Sequence, residues 1–290
     1  MTFATGVSAG TAHDSPPVAY RTGTSEVRVT FFATGQNNRP LANVTVNDFA
    51  VVDSETVIRD FRSLNRSNET SLDIVLLLDC SGSVAPVFRK AVQDVLRLAS
   101  PPSPQTLGTI SVVTFSGLKP TLLCADECGS SAAAKLISVT ASGPTPLFDT
   151  LTFTAKFLSR RYMPGVRQVV IVFSDGVDTI SGASPKEALE AVASMGAILY
   201  AVDSQSEASP SNKSPWLHKM AEATGGRTFS LQDDTHNILE AVLADLRASY
   251  VVTYALPSHA AGFHSLRILP KHDLNLQFHC RRGYFYEEGQ

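Results

Sequence analysis

The sequence predicts an α/β fold: a doubly wound, mainly parallel sheet, joined by a small all-β sandwich built from both chain ends. Three observations predict it. From about 71 to 249, continuous apolar runs alternate with segments of helical period, the pattern of parallel strands covered on both faces by helices. On either side, 22–70 and 250–287 read as strands without intervening helical pattern. Neither flank holds enough strands to be stable alone, so the two are expected to pair, with the α/β unit inserted between them.

In the first flank the strands are Val27-Arg28-Val29-Thr30-Phe31-Phe32, Phe49-Ala50-Val51-Val52 and Val57-Ile58-Arg59-Asp60-Phe61. Asn37-Asn38-Arg39-Pro40 and Asp53-Ser54-Glu55 supply the turns. The central region opens with the apolar run Ile74 to Leu78, and similar runs follow at Ile110 to Phe115, Val169 to Phe173 and Ile198 to Val202. Helices fall between them. Val84 to Leu98 carries apolar residues at helical spacing. Ser184-Pro185-Lys186-Glu187 is a capping box with proline at the first helical position, and Gly196 closes that helix. Ser214-Pro215 opens another, which stops at Gly225-Gly226. Ile238 to Leu246 is the last, with Leu239, Val242, Leu243 and Leu246 on one face. The tail returns to strands at Tyr250 to Tyr254, Phe263 to Leu269 and Leu274 to Tyr286.

Composition narrows the function classes. The 290 residues are 43% hydrophobic and 18% charged, an ordinary globular balance. The net charge is -3 and no Lys/Arg run would track a phosphate backbone, which argues against a nucleic-acid partner. No apolar stretch approaches the roughly 18–20 residues that cross a bilayer as a helix. Met1 to Tyr20 lacks the basic head and apolar block of a secretory signal. Cys124 and Cys128 lie in a short polar segment; a local disulfide is one reading and would favour an oxidising compartment. Zinc would want a second pair at ligand spacing, which the sequence does not offer. Cys80 reads as a small buried residue, and Cys280 has no evident partner.

The chemistry concentrates at strand ends. Asp79-Cys80-Ser81-Gly82-Ser83 follows the first apolar run, and Ser174-Asp175-Gly176 follows a later one. Between them, Ser142-Gly143-Pro144-Thr145-Pro146-Leu147-Phe148-Asp149 runs from loop into helix. In doubly wound sheets such carboxyl ends line the ligand crevice. Hydroxyl and carboxylate oxygens without His or Cys suit a hard cation such as Mg²⁺, Ca²⁺ or Mn²⁺. Neutral hydroxyls from Ser81, Ser83 and Thr145 would leave the ion's charge incompletely cancelled, and so attractive to a carboxylate from outside. Asp79 and Asp175 would hold it directly or through water.

These three stretches resemble the metal-ion-dependent adhesion site of von Willebrand factor A domains, in that family's order and within its Rossmann-like α/β pattern, over about 71 to 249. The resemblance implies direct coordination of one divalent cation, Mg²⁺ first among candidates, by Ser81, Ser83 and Thr145, with Asp79 and Asp175 often acting through water. It also implies a protein ligand that completes the shell with an Asp or Glu. The flanks, at Asn47-Asp48-Phe49-Ala50-Val51-Val52-Asp53, Tyr250 to Tyr254 and Arg282-Gly283-Tyr284-Phe285, are similar to the von Willebrand factor A-related proteins of Acidobacteria, which implies a secreted or periplasmic protein. Cys80 stands where that family more often has a small or β-branched residue.

Each piece has a plainer reading. Ser81 and Ser83 could cap a helix, Thr145 before Pro146 is itself a good N-cap, and Asp175-Gly176 could be a turn. Asp149 and Asp178 read as cap or loop residues. The histidines His264, His272 and His279 read as surface or half-buried groups, Trp216 as core, and the segment Ser204 to Lys213 as a polar loop near the strand ends. Three site pieces after apolar strands in one unit favour the metal reading, and with it a binding protein and not an enzyme. An aspartyl phosphatase would need a second Asp where Ser81 stands. A serine hydrolase would need a glycine that Ser116 lacks in Thr114-Phe115-Ser116-Gly117. An adaptor of an intracellular ATPase machine is the other binding role, against which the β-rich ends argue.

Overall fold

The computed structural model describes residues 26–67, 71–99, 108–126, 128, 130–194, 196–204, 215–231 and 236–286. Four strands come first: β1 (Glu26–Thr34), β2 (Phe49–Asp53), β3 (Thr56–Ile58) and β4 (Ser63–Arg66). The α/β unit then runs β5 (Ser71–Asp79), α1 (Phe88–Ala99), β6 (Gly108–Ser116), β7 (Lys119–Cys124), α2 (Ser130–Ser138), α3 (Leu147–Ser159), β8 (Val166–Ser174), α4 (Pro185–Ser194), β9 (Ile198–Asp203), α5 (Trp216–Thr224), β10 (Thr228–Ser230) and α6 (His236–Arg247). Four strands close the chain: β11 (Tyr250–Ala255), β12 (Gly262–Pro270), β13 (Gln277–Cys280) and β14 (Gly283–Tyr286).

The central sheet has the order β10-β9-β8-β5-β6-β7, parallel except for the edge strand β7. Why β5 is apolar from Ile74 to Leu78 follows from its two neighbours above and below. Ile74, Leu76 and Leu78 pack with Val92 and Val95 of α1, Leu136 of α2 and Val242 and Leu246 of α6. Val75 and Leu77 point the other way, to Leu151 and Leu158 of α3, Val192 of α4 and Met220 of α5. A strand alternates its side chains between faces, so the stretch Ile74 to Leu78, with a core on each face, has no polar position.

The two ends of the chain form a sandwich. One sheet is β13-β1-β11-β4 and the other β14-β12-β2-β3, so each mixes strands from both ends. Their shared core holds Val29, Phe31, Phe49, Val51, Val252, Tyr254, Leu266 and Ile268. Phe31 and Phe49 meet across it with ring centroids 5.0 Å apart.

Several contacts fasten sandwich to α/β unit, two of them through side chains or close backbone approach at α5 and β10. Arg227 donates through Nε and Nη2 to Asp245 at 2.8 and 2.9 Å, and through Nη1 to the Asn38 carbonyl at 2.7 Å. Gly225 ends α5 with φ at 86°, and a Cβ there would lie 2.7 Å from the Cys280 backbone. Only glycine fits both the turn and that approach.

Several expectations change in detail. Helix α1 starts at Phe88, four residues beyond Val84, because Val84 to Val87 form turns closed by Ala85 N–H on the Gly82 carbonyl and Val87 N–H on the Val84 carbonyl. The run Leu274 to Tyr286 splits into β13 and β14, which belong to different sheets, and Leu274 is exposed. His264 is buried, with its Nε2 2.8 Å from the Ala260 carbonyl and its Nδ1 3.4 Å from Asp53. Cys124 and Cys128 are joined by a disulfide, while Cys80 and Cys280 are free. Met1 to Tyr20, Ser214 and the loop beyond Ser204 lie outside the described residues, as does the side chain of Leu239.

Candidate metal centre

Asp79 is the last residue of β5 and Ser174 the last of β8, two parallel neighbours in which Leu78 pairs with Phe173. Strand polarity therefore delivers the two to the same carboxyl edge, with Asp175 one step beyond. The Ser174 hydroxyl donates to Asp79 Oδ2 at 2.6 Å, and the Ser81 N–H donates to Asp79 Oδ1 at 2.8 Å. The second bond turns the chain so that the Ser81 and Ser83 hydroxyls lie 3.0 Å apart.

Backbone bonds bring the Thr145 loop alongside. Gly82 N–H donates to the Gly143 carbonyl at 3.0 Å and Ser142 N–H to the Cys80 carbonyl at 2.8 Å. From the other side, Thr145 N–H donates to the Thr179 hydroxyl at 2.8 Å, and Thr179 N–H returns to the Thr145 carbonyl at 3.0 Å. Thr145 does not cap α3. The helix starts behind Pro146 without a side-chain cap from that position, and its Phe148 N–H is taken by Asp178 Oδ2 at 2.9 Å. Asp149 reciprocates by accepting from Gly182 and Ala183 N–H groups at 3.0 and 2.9 Å. Asp149 and Asp178 are thus cap and loop clamps that hold the Thr145 loop in place.

The electrostatics of this edge are unbalanced. Asp79 is 1% exposed, and among the described residues no Lys, Arg or His forms an ion pair with it. Burial pushes its carboxyl up to about 6, the Ser174 and Ser81 bonds pull it down, and the Asp175 charge pushes it up again. A buried carboxylate beside a second one calls for a cation. The donor set is hydroxyl and carboxylate oxygen, which fits a hard divalent ion. Among the described residues no cluster of three or more His, Cys, Asp or Glu could hold a metal, so any ion here must use hydroxyls. Cys80 takes no part. Its thiol lies 3.5 Å from the Leu78 carbonyl, is 2% exposed, and is pushed up to about 12 by burial and the Asp79 charge, so it stays an inert thiol.

Two contributors escaped the sequence reading: the hydroxyls of Ser174 and Thr179. Ser174 carried a signal, since it directly follows an apolar strand as Asp79 does. Thr179 carried none.

The von Willebrand factor type A domain model matches residues 73–244, more than half of the chain. The chain belongs to that family. Its domains are interaction modules that bind protein partners. No curated protein matches this von Willebrand factor type A chain in sequence. Solved structures similar to it include the manganese-loaded TRAP protein of Plasmodium vivax, at 16% identity, with 81% of this chain and 98% of that one covered and a TM-score of 0.45. Another is proximal thread matrix protein 1 of the mussel byssus, at 20% identity, covering 65% of this chain and 49% of that one, with a TM-score of 0.44. No helix among the described residues is long and apolar enough to cross a membrane.

Proposed function

We propose that the chain is a metal-dependent protein-binding module, in which one divalent cation, Mg²⁺ first, is held by Asp79, Ser81, Ser83, Thr145 and Asp175 and completed by an Asp or Glu of a partner protein. The observation that carries this reading is the buried Asp79 carboxylate, which lies next to Asp175 and two mutually bonded serine hydroxyls and, among the described residues, has no basic side chain paired with it. Three neutral hydroxyls cancel little of a dication's charge, so the ion would draw in an outside carboxylate. Ser83 is exposed and gives that carboxylate an approach.

The reading makes the chain a binding protein and not an enzyme. We further infer a secreted or periplasmic protein, a reading that the Cys124–Cys128 disulfide supports. Titration calorimetry with MgCl₂ and MnCl₂ tests the site: one ion should bind per chain, and Asp79→Ala should abolish the heat. Pull-down from the native organism in Mg²⁺ and in EDTA tests the partner. Ions that bind Asp79→Ala as tightly as the unaltered chain would falsify the proposal. Mg²⁺-dependent turnover of a phosphate ester, lost in Asp79→Asn, would replace it with an enzymatic one.

A further inference from the structure

We propose that Leu118 and Ile180 are apolar shoulders flanking the metal centre, and that the partner segment is an extended one whose acidic residue is flanked, two positions away on each side, by large apolar side chains. This inference rests on the metal-dependent reading and adds to it the chemistry of the partner.

The sheet order places the shoulders. β6 and β8 lie on opposite sides of β5, whose carboxyl end carries Asp79 and the serines. Leu118 sits at the tip of the β6–β7 hairpin, and Ile180 lies in the segment after β8. Both tips are pinned to one loop. Gly117, next to Leu118, donates its N–H to the Pro144 carbonyl at 2.9 Å. Thr179, next to Ile180, exchanges two bonds with Thr145. Leu118 is 79% exposed and Ile180 41% exposed.

A single exposed aliphatic residue is common and means little. Two of them, each next to a residue bonded to the loop that supplies Thr145, follow strands that flank β5 on opposite sides. Side chains of an extended segment alternate faces, so residues two positions from a carboxylate share its face and lie roughly 7 Å from it along the chain. These are the positions that would meet Leu118 and Ile180 when the carboxylate meets the ion. Charged or small residues there would leave both shoulders in water.

The test uses the full chain with Mg²⁺ and two capped pentapeptides, Leu-Ser-Asp-Ser-Leu and Ser-Ser-Asp-Ser-Ser, followed by chemical-shift titration. The expected result is about tenfold tighter binding of the leucine peptide, the size that two partly buried aliphatic contacts support. The double variant Leu118→Ser/Ile180→Ser should bind both peptides equally while holding Mn²⁺ as the unaltered chain does. Equal binding of the two peptides by the unaltered chain overturns the inference and leaves the metal-dependent reading standing. A preference that survives in the double variant also overturns it. Binding of neither peptide with the metal held overturns it as well, and failure of the metal itself to bind removes the reading on which it rests.

Discussion

The Ser174 hydroxyl donates to Asp79 Oδ2 at 2.6 Å, joining the last residues of two adjacent parallel strands. This bond orients a carboxylate that has no ion pair among the described residues. Ser174→Ala should keep the fold, because the position is a strand end and alanine fits where serine did. It should weaken Mg²⁺ or Mn²⁺ binding by about 10–100-fold, the usual effect of losing an orienting partner behind a metal ligand. Calorimetry on the variant checks this, and unchanged affinity would show that the bond does not serve the ion.

The Cys124–Cys128 disulfide closes a short loop at the end of the edge strand β7. Closing so short a loop removes little freedom from the unfolded chain, so its loss should cost only about 2 kcal/mol. Cys124→Ser/Cys128→Ser should therefore lower the midpoint of thermal unfolding by several degrees without abolishing folding, and reductant should have the same effect on the unaltered chain but none on the variant.

Stability should fall in acid through His279. Its ring stacks on Phe32 with centroids 4.5 Å apart, and its Nε2 lies 3.0 Å from the Thr34 hydroxyl. Burial, with Arg227 nearby, holds the folded imidazole down at about 4 against 6.5 when free. The unfolded chain thus takes up the proton first as pH falls. The stabilisation is complete above pH 6.5 and is lost as pH falls towards 4, up to about 3 kcal/mol. Asp245, raised to about 6, acts with the opposite sign. Urea unfolding of the unaltered chain and His279→Gln at several pH values separates the two: the difference between them should shrink steadily from pH 7 to pH 4.

Arg227 and Asp245 form a buried two-bond pair, and Arg227 also reaches the Asn38 carbonyl of the sandwich. Arg227→Ala leaves Asp245 buried without its counter-charge. That should cost about 3–5 kcal/mol, seen as an earlier urea midpoint. Arg227→Ala/Asp245→Ala should recover part of the loss, because no lone charge remains; a double variant less stable than the single would contradict this account.

The parallel core was legible because burial on two faces leaves short runs, rich in β-branched residues and without a polar position, as at Ile74 to Leu78 and Val169 to Phe173. The chemistry of the strand ends was legible because Asp79, Ser81, Ser83 and Asp175 are polar residues set directly after such runs. What escaped are elements whose residues answer to neighbours distant in sequence. β10 is three residues long and exists because it pairs with β9. β7 is half exposed and pairs on one side, so its apolar alternation is weak. Thr145 looked like a helix cap by local chemistry, and only the arrival of Asp178 from thirty-odd residues away in sequence assigns the cap elsewhere. His264 looked like a surface or half-buried residue because the Asp53 carboxylate it approaches lies more than two hundred residues away in sequence.

β1 pairs with β11 and β13, so the first described strand finds its neighbours only after the whole α/β unit has been made. During synthesis the apolar residues Val29, Phe31 and Phe32 stay without their sheet until β11 and β13 have been made. Pairing so distant in sequence is slow and leaves strand edges open to other chains. The α/β unit can fold in the interval, and once folded it holds its own two ends close together, which turns a distant pairing into a nearby one. The order of assembly is therefore inside first, wrapping last, and a nascent chain released before Tyr250 would carry a folded α/β unit trailing an unpaired, adhesive strand.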